Sequence, residues 1–277
     1  MPLSTVTPHP FRCFALAMLL AIGLAGSLAG RAEAGSGDPQ TPASPDHTAS
    51  FQAEAWYFYQ HTTDTAQQQK LTLRFYQPFM FGEGWQLTLR EDIRGLDSNE
   101  KGPENPDGVW RAHLGDMFVQ AALKTPPVAP GLSPVVAIRL VFPTGGLAPY
   151  GTGRYQVGPG FGLIWDLPAP ADMVTLAPLV NYLTSVGDQP LHSSETNVLL
   201  FHPIVSLRPL DGLTISLWRE HPLILDTATN RWFVPFDAMA SYEIIPHLSL
   251  SVGVAVPLGG SNRAYDSIVY GRVAFSF

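Results

Sequence analysis

The chain has one cysteine, three lysines and few charges of any kind, 14% of its 277 residues. That cysteine, Cys13, precedes the apolar stretch near the N-terminus. The segment beyond it therefore has neither a disulfide framework nor a thiolate metal site. Long hydrophobic runs are scarce as well: only Phe14 to Gly30 is both long and uncharged, which excludes a bundle of transmembrane helices. The eight histidines are scattered, with no close His-x-x-x-His spacing, so no metal and no other cofactor is expected. The glycine-rich strings precede no helical pattern, which removes phosphate loops and dinucleotide fingerprints. What is abundant is apolar content, 45%, together with 25 glycines and 26 prolines. So many apolar residues argue against disorder, and so many helix breakers against a coiled coil.

The run from Phe14 to Gly30 follows Arg12 and leads to Ala32-Glu33-Ala34. A basic start, an apolar core and a small-x-small end predict a signal peptide over 1–34, cleaved before Gly35. The run is short for a helical span, which needs roughly 20 residues. Cleavage would remove Arg12, Arg31 and Glu33 and leave 14 basic against 22 acidic residues, a poor balance for nucleic acid. Residues 35–50, rich in Gly, Ser, Thr, Pro and Asp, read as a flexible lead-in.

From residue 51 onward a period of two dominates. Between His247 and Leu258, Leu248, Leu250, Val252, Val254 and Val256 alternate with Ser249, Ser251, Gly253 and Ala255. At the C-terminus Val269, Val273, Phe275 and Phe277 oppose Tyr270, Arg272, Ala274 and Ser276. Leu71, Leu73 and Phe75 alternate with Thr72, Arg74 and Tyr76, and Val136, Ile138 and Leu140 flank Arg139. These are two-sided strands. Runs of this kind predict twelve strands, at 51–61, 69–78, 84–94, 114–125, 134–143, 155–166, 172–184, 196–208, 212–220, 231–243, 247–257 and 265–277.

Connections between the predicted strands fall into two alternating classes. Short ones lie near 79–83, 126–133, 167–171, 209–211 and 244–246; longer, more polar ones near 62–68, 95–113, 144–154, 187–195, 221–230 and 258–264. With both termini on one side, every short turn shares that side and every long loop faces the other, the asymmetry of an outer-membrane β-barrel. Trp85, Trp165, Tyr242 and Phe277 gather at the turn-side ends, with Tyr155, Tyr182, Trp232 and Tyr265 at the loop-side ends, as paired aromatic girdles require. A soluble β-sandwich also alternates, but its strands average about 5 to 6 residues, and several segments here are twice that. The expected fold is all-β: a transmembrane antiparallel β-barrel of about twelve strands spanning 51–277, in the outer membrane of a Gram-negative cell with lipid as its partner.

The polar face then lines a lumen. Arg74, Arg90, Asp116, Arg139, His202, Asp237 and Arg272 are the candidate lining and solute-binding residues, with Glu54, Lys124, Asp166 and Arg208 on the same side. Arg139 stands out because it alone interrupts an apolar strand. These charges either pair across a narrow barrel, since buried charge is tolerated only when paired, or steer a solute as charged pore rings do. Pro159, Pro178, Pro203 and Pro235 fall inside predicted strands, where proline cannot donate to the ladder. Ordinary bulges would accommodate them. Alternatively, the first three, on consecutive strands, mark a loosened wall through which a hydrophobic solute passes sideways into the membrane.

One stretch carries a family likeness. Leu114-Gly115-Asp116 opens a strand, Phe142-Pro143-Thr144-Gly145 ends the next, and Gly151-Thr152-Gly153 and Val157-Gly158-Pro159-Gly160 follow. This order resembles the outer-membrane proteins of the meta-pathway phenol-degradation family, often described as transporters. The resemblance covers residues 114–160 and implies uptake of small hydrophobic or aromatic compounds. Locally, Gly145, Gly151 and Gly153 suit tight external turns, and Gly158, Gly160 and Gly162 would leave room inside the barrel. The C-terminal strand ending in Phe277 resembles the signal read by the barrel assembly machinery.

Some outer-membrane barrels are hydrolases. The outer-membrane phospholipases carry His-x-Ser-Asn-Gly, and the nearest string here, Leu191-His192-Ser193-Ser194-Glu195, lacks the Asn-Gly. Omptin-type proteases work with acidic and histidine side chains at the barrel rim, for which His113 with Asp116 and His221 with Asp226 are the available pairs. Without a nucleophile held against a base, the sequence favours a non-enzymatic channel for a small solute over a rim hydrolase or a closed structural barrel.

Overall fold

A computed structural model describes residues 50–62, 66–187, 193 and 195–277, and in it the alternating segments pair with their sequence neighbours. The signal peptide predicted over 1–34 and the lead-in over 35–50 lie outside the described residues, Ser50 excepted. The strands are β1 (Gln52–His61), β2 (Gln67–Phe81), β3 (Trp85–Ser98), β4 (Arg111–Leu114), β5 (Met117–Lys124), β6 (Leu132–Phe142) and β7 (Tyr155–Asp166). They continue with β8 (Val174–Val186), β9 (Asn197–Leu210), β10 (Leu213–Leu217), β11 (Leu223–Asp226), β12 (Arg231–Ile245), β13 (Leu248–Gly260) and β14 (Ser267–Ser276). Strands β4 and β5 are two halves of one stave, as are β10 and β11, which both pair with β9 and β12. Twelve staves thus close into an antiparallel barrel, sealed by β1 against β14 from Gln52↔Ser276 to His61↔Ser267.

Two connections differ from expectation. β3 runs on to Ser98 and β4 starts at Arg111, so the loop expected over 95–113 is shorter at both ends. The loop expected over 221–230 holds a strand, β11, and its hairpin to β12 spans only residues 227–230. The residues that interrupt the alternation there, 218–222, fold into the lumen instead of out over the rim. Elsewhere local chemistry sets the turns: Asp211-Gly212 joins β9 to β10, with Gly212 at φ 75°, a backbone region that glycine enters without steric cost.

Burial follows the alternation. Val136, Ile138 and Leu140 stand outward and half exposed, as do Phe161, Val252 and Val269, while Glu54, Arg74, Asp92, Asp237 and Arg272 are buried inside. Leaving such apolar side chains in water would forgo about 1.5–3 kcal/mol each, repeated around the whole wall. Lipid is the solvent that removes this penalty, and a closed barrel leaves no edge unpaired within it. The protein is an outer-membrane β-barrel. Trp85, Trp165 and Tyr242 at the turn edge and Tyr155, Tyr182 and Trp232 at the loop edge are exposed on the outside. Tyr265 is not part of the girdle: its side chain turns inward and is buried, with its ring 5.0 Å from Phe233 and 5.7 Å from His221. At the other end the backbone N–H of Phe277 donates to the carbonyl of Phe51 at 2.9 Å, pinning the C-terminus to the first strand.

The interior is not purely polar. Trp56, Phe58, Tyr270, Met239 and Ile268 form a buried cluster on the β12–β13–β14–β1 side. Trp56 has no exposed surface, lies under the guanidinium groups of Arg74 and Arg272, and donates its Nε1–H to Glu54 at 2.6 Å.

Candidate functional site

Cross-strand register places the lumen charges opposite one another. Glu54 pairs in register with Arg74, and Arg74 with Asp92. Arg74 donates to both oxygens of Asp92 at 3.1 to 3.3 Å, and Arg90 donates to the same carboxylate at 2.8 and 3.0 Å. Arg272 donates to Glu54 at 2.9 Å, to Ser251 at 2.9 Å and to Ser241 at 3.2 Å. All of these groups except the partly exposed Arg90 are buried, and each finds charged or hydroxyl partners, as burial of charge demands.

The interrupted stave supplies a second group of polar side chains, which the alternating pattern did not reveal. Asp237 on β12 accepts hydrogen bonds from the backbone N–H groups of Glu220 (3.0 Å) and His221 (3.3 Å) and from the hydroxyl of Tyr270 (2.7 Å). The ring Nδ1 of His221 lies 3.0 Å from the same carboxylate. Trp218, in a left-handed conformation at φ 52°, donates its indole N–H to the carbonyl of Pro235 at 2.8 Å. Anchored in this way, Glu220 reaches inward and accepts two bonds from Arg74, at 2.9 and 3.0 Å. The only local sign of this in the sequence is Trp218-Arg219-Glu220-His221-Pro222, five residues without alternation that end in a proline.

Phe118 of β5 lies in the middle of three guanidinium groups. The central carbons of Arg90, Arg94 and Arg139 stand 4.8, 4.8 and 4.6 Å from its ring centre, within cation–π range. Arg139 hydrogen-bonds to a neutral partner, the Gln120 side-chain oxygen, at 3.0 and 2.7 Å. Two cavities meet at this belt. One, of about 130 Å³ and nearer the loops, is lined by Lys70, Arg74, Asp92, Arg94 and Glu220. The other, of about 150 Å³ and nearer the turns, is lined mainly by apolar groups such as Val135, Ile164, Ala177 and Ile204. Arg90, Arg139, His202 and Arg219 border both.

Of the predicted lining residues, Arg74, Arg90, Arg139 and His202 thus come together, while Asp237 and Arg272 sit in the adjoining hydrogen-bonded network. Asp116 lies elsewhere, in the break between β4 and β5. Its carboxylate accepts from the N–H of Gly145 (3.1 Å), the N–H of Thr152 (2.9 Å) and the Thr152 hydroxyl (3.1 Å). Thr144 adds a bond to the carbonyl of Gly115 at 2.7 Å, and a side chain at Gly151 would collide with Asp116. The glycine-rich motifs therefore converge on one node that folds the 143–154 loop.

On β7 the glycines at 158, 160 and 162 do not leave empty space. Leu183, Asn181 and Leu179 of β8 lean across them, and a Cβ at any of the three would strike those side chains or the β8 backbone. The pairing of β7 with β8 skips Gly158 and Pro159, and again Leu163 and Ile164, while holding one register from Tyr155↔Val186 to Asp166↔Thr175. Pro159 and Pro178 fall at these two gaps, and Pro178 lies directly opposite Pro203 of β9. Leu163 and Pro178, at outward positions of the alternation, nonetheless border the apolar cavity. Pro235, by contrast, faces inward at a register shift between β12 and β13.

The rim pairs do not form as the sequence suggested. His221 is held by Asp237, whereas Asp226 accepts from the N–H groups of Ala228 and Thr229 in its own turn. His113 stacks on Tyr150 at 5.1 Å, and Asp116 is occupied by the loop. His192 lies outside the described residues.

No family model matches the chain, and no curated protein matches it. Solved structures do resemble it. The COG4313 outer membrane channel from Pseudomonas putida F1 superposes with a TM-score of 0.67 over 83% of this chain and 96% of that one, at 12% identity. The NanC porin gives 0.52 over 82% and 98%, at 14% identity, and the KdgM porin 0.50 over 82% and 99%, at 11% identity. At such identities the likeness is one of fold: a twelve-stave barrel of the kind used by outer-membrane channels.

Proposed function

We propose that this barrel is a passive, non-catalytic outer-membrane channel for small hydrophobic or aromatic compounds, a transporter of the kind grouped as the meta-pathway phenol-degradation family. The observation that carries the reading is the apolar cavity inside the lumen, bordered by Leu163 and Pro178 where the β7–β8 pairing is interrupted. A wide aqueous pore would need a polar, unobstructed axis. Here Arg74 and Glu220 bridge part of the lumen, and the cavity beyond them is greasy. A hydrophobic solute that reaches it has an outlet between Pro159, Pro178 and Pro203, where ladder bonds are already missing and opening costs little. The Phe277-ended strand would serve the assembly machinery as the insertion signal.

The test is uptake into proteoliposomes of a radiolabelled aromatic solute, with and without a lock across the seam. Without Cys13 the chain has no cysteine, so a Leu163→Cys, Pro178→Cys pair, directly opposed in register, can be oxidised selectively. Uptake that falls on oxidation and returns on reduction supports the lateral route. Uptake that never exceeds that of protein-free vesicles, for aromatic and aliphatic solutes alike, removes the channel reading.

A further inference from the structure

We infer that the belt formed by Arg90, Arg94 and Arg139 around Phe118 is a binding subsite for the carboxylate of an amphipathic monoanion whose apolar body occupies the turn-side cavity. The inference rests on the channel reading and narrows its solute from hydrophobic compounds in general to aromatic or short aliphatic carboxylates.

Charge is the first argument. Among the described residues the loop-side cavity is lined by five arginines, Arg74, Arg90, Arg94, Arg139 and Arg219, and by Lys70, against two carboxylates, Asp92 and Glu220. Arginine stays protonated in proteins, so this chain, acidic as a whole, carries a cationic middle. Both carboxylates are already committed to Arg74, and Asp92 also to Arg90 and, more distantly at 3.9 Å, to Arg94. Such an imbalance in a confined lumen favours an anion from outside the protein.

Unused donors are the second argument. Among the described residues Arg94 Nε, a donor in every protonation state of arginine, has no hydrogen-bond partner. Arg139 spends its fork on the amide oxygen of Gln120, although a guanidinium matches a carboxylate bidentately and more strongly. Arg94 lines the loop-side cavity and Arg139 lines both.

Position is the third. Arg90, Arg139, His202 and Arg219 stand where the polar cavity meets the apolar one. A ligand spanning that junction needs a charged head and a greasy body. The apolar cavity, about 150 Å³, matches the size at which an apolar cavity takes up benzene.

The probe is sodium benzoate, compared with benzyl alcohol and benzylammonium, which share its ring and differ in charge. Calorimetric titration of the refolded chain in detergent should show benzoate bound about tenfold more tightly than either, the margin of one charge-assisted hydrogen bond. R139Q should reduce benzoate affinity about tenfold and leave benzyl alcohol unaffected, whereas R139K, which keeps the charge, should retain most of the preference. In planar bilayers a potassium benzoate gradient should give a reversal potential of the sign for anion passage. Equal binding of the three compounds, or a cation-selective current, overturns the subsite while leaving a channel in place. Benzoate binding without current or uptake supports the subsite and defeats the channel. Heat-dependent gel mobility checks that each variant is folded, and R94Q repeats the test at a second donor.

Discussion

Arg74 on β2 and Glu220 in the broken stave, 146 positions apart in the chain, meet across the lumen through two hydrogen bonds of 2.9 and 3.0 Å. Arg74 holds Asp92 at the same time, and Asp92 holds Arg90. One guanidinium therefore ties the inward-folded segment 218–222 to the opposite wall and narrows the passage to which the arginine belt gives access.

Glu220→Gln should loosen that strut. Arg74 keeps Asp92, so the loss is one charge-assisted pair, about 2 kcal/mol, read as a lower urea midpoint in detergent. Single-channel conductance should rise because the lumen is less obstructed. An unchanged conductance would show that this bridge does not limit passage.

Asp237→Ala and Tyr270→Phe separate anchoring from packing. The phenylalanine removes one of the donors around Asp237 and should cost about 1 kcal/mol, while the alanine strands two backbone N–H groups and a histidine as well and should cost about 3 kcal/mol. Trypsin should cut at Arg219 in the alanine variant alone, since only there is the segment released from β12.

Ile138→Lys places a charge on the wall near the middle of β6 and should cost about 2–4 kcal/mol in lipid, against about 0–1 kcal/mol for Val128→Lys in the turn. Equilibrium unfolding in vesicles of matched thickness measures both. Equal costs at the two sites would mean that lipid does not cover this face.

Asp116→Ala should unfasten the 143–154 loop at a cost of about 2 kcal/mol and expose it to proteolysis, with Asp116→Asn in between because the amide keeps one acceptor. Conductance and solute binding should hardly change, since the carboxylate serves the loop and not the passage.

Much of this molecule was legible as a one-dimensional pattern. Side chains of a strand point to opposite faces with period two, so the face of Arg139 followed from Val136, Ile138 and Leu140 around it, and the long-short alternation of connections followed from the up-and-down order of strands. Trp56 and Phe58 were not legible in this way, because an apolar residue in β1 can face lipid or the barrel's own aromatic cluster, and its partners Tyr270 and Met239 arrive from the far end of the chain.

Local alternation and the turns between neighbours were enough to give twelve staves, their order, and the inward face of charges within regular strands such as Arg74, Arg139 and Arg272. Only the tertiary structure decided that residues 218–222 turn inward, that Asp116 fastens a loop instead of lining the passage, and that three arginines gather on Phe118. Each of these depends on contacts between residues far apart in the chain, where closure of the barrel sets the distance and no local period records it.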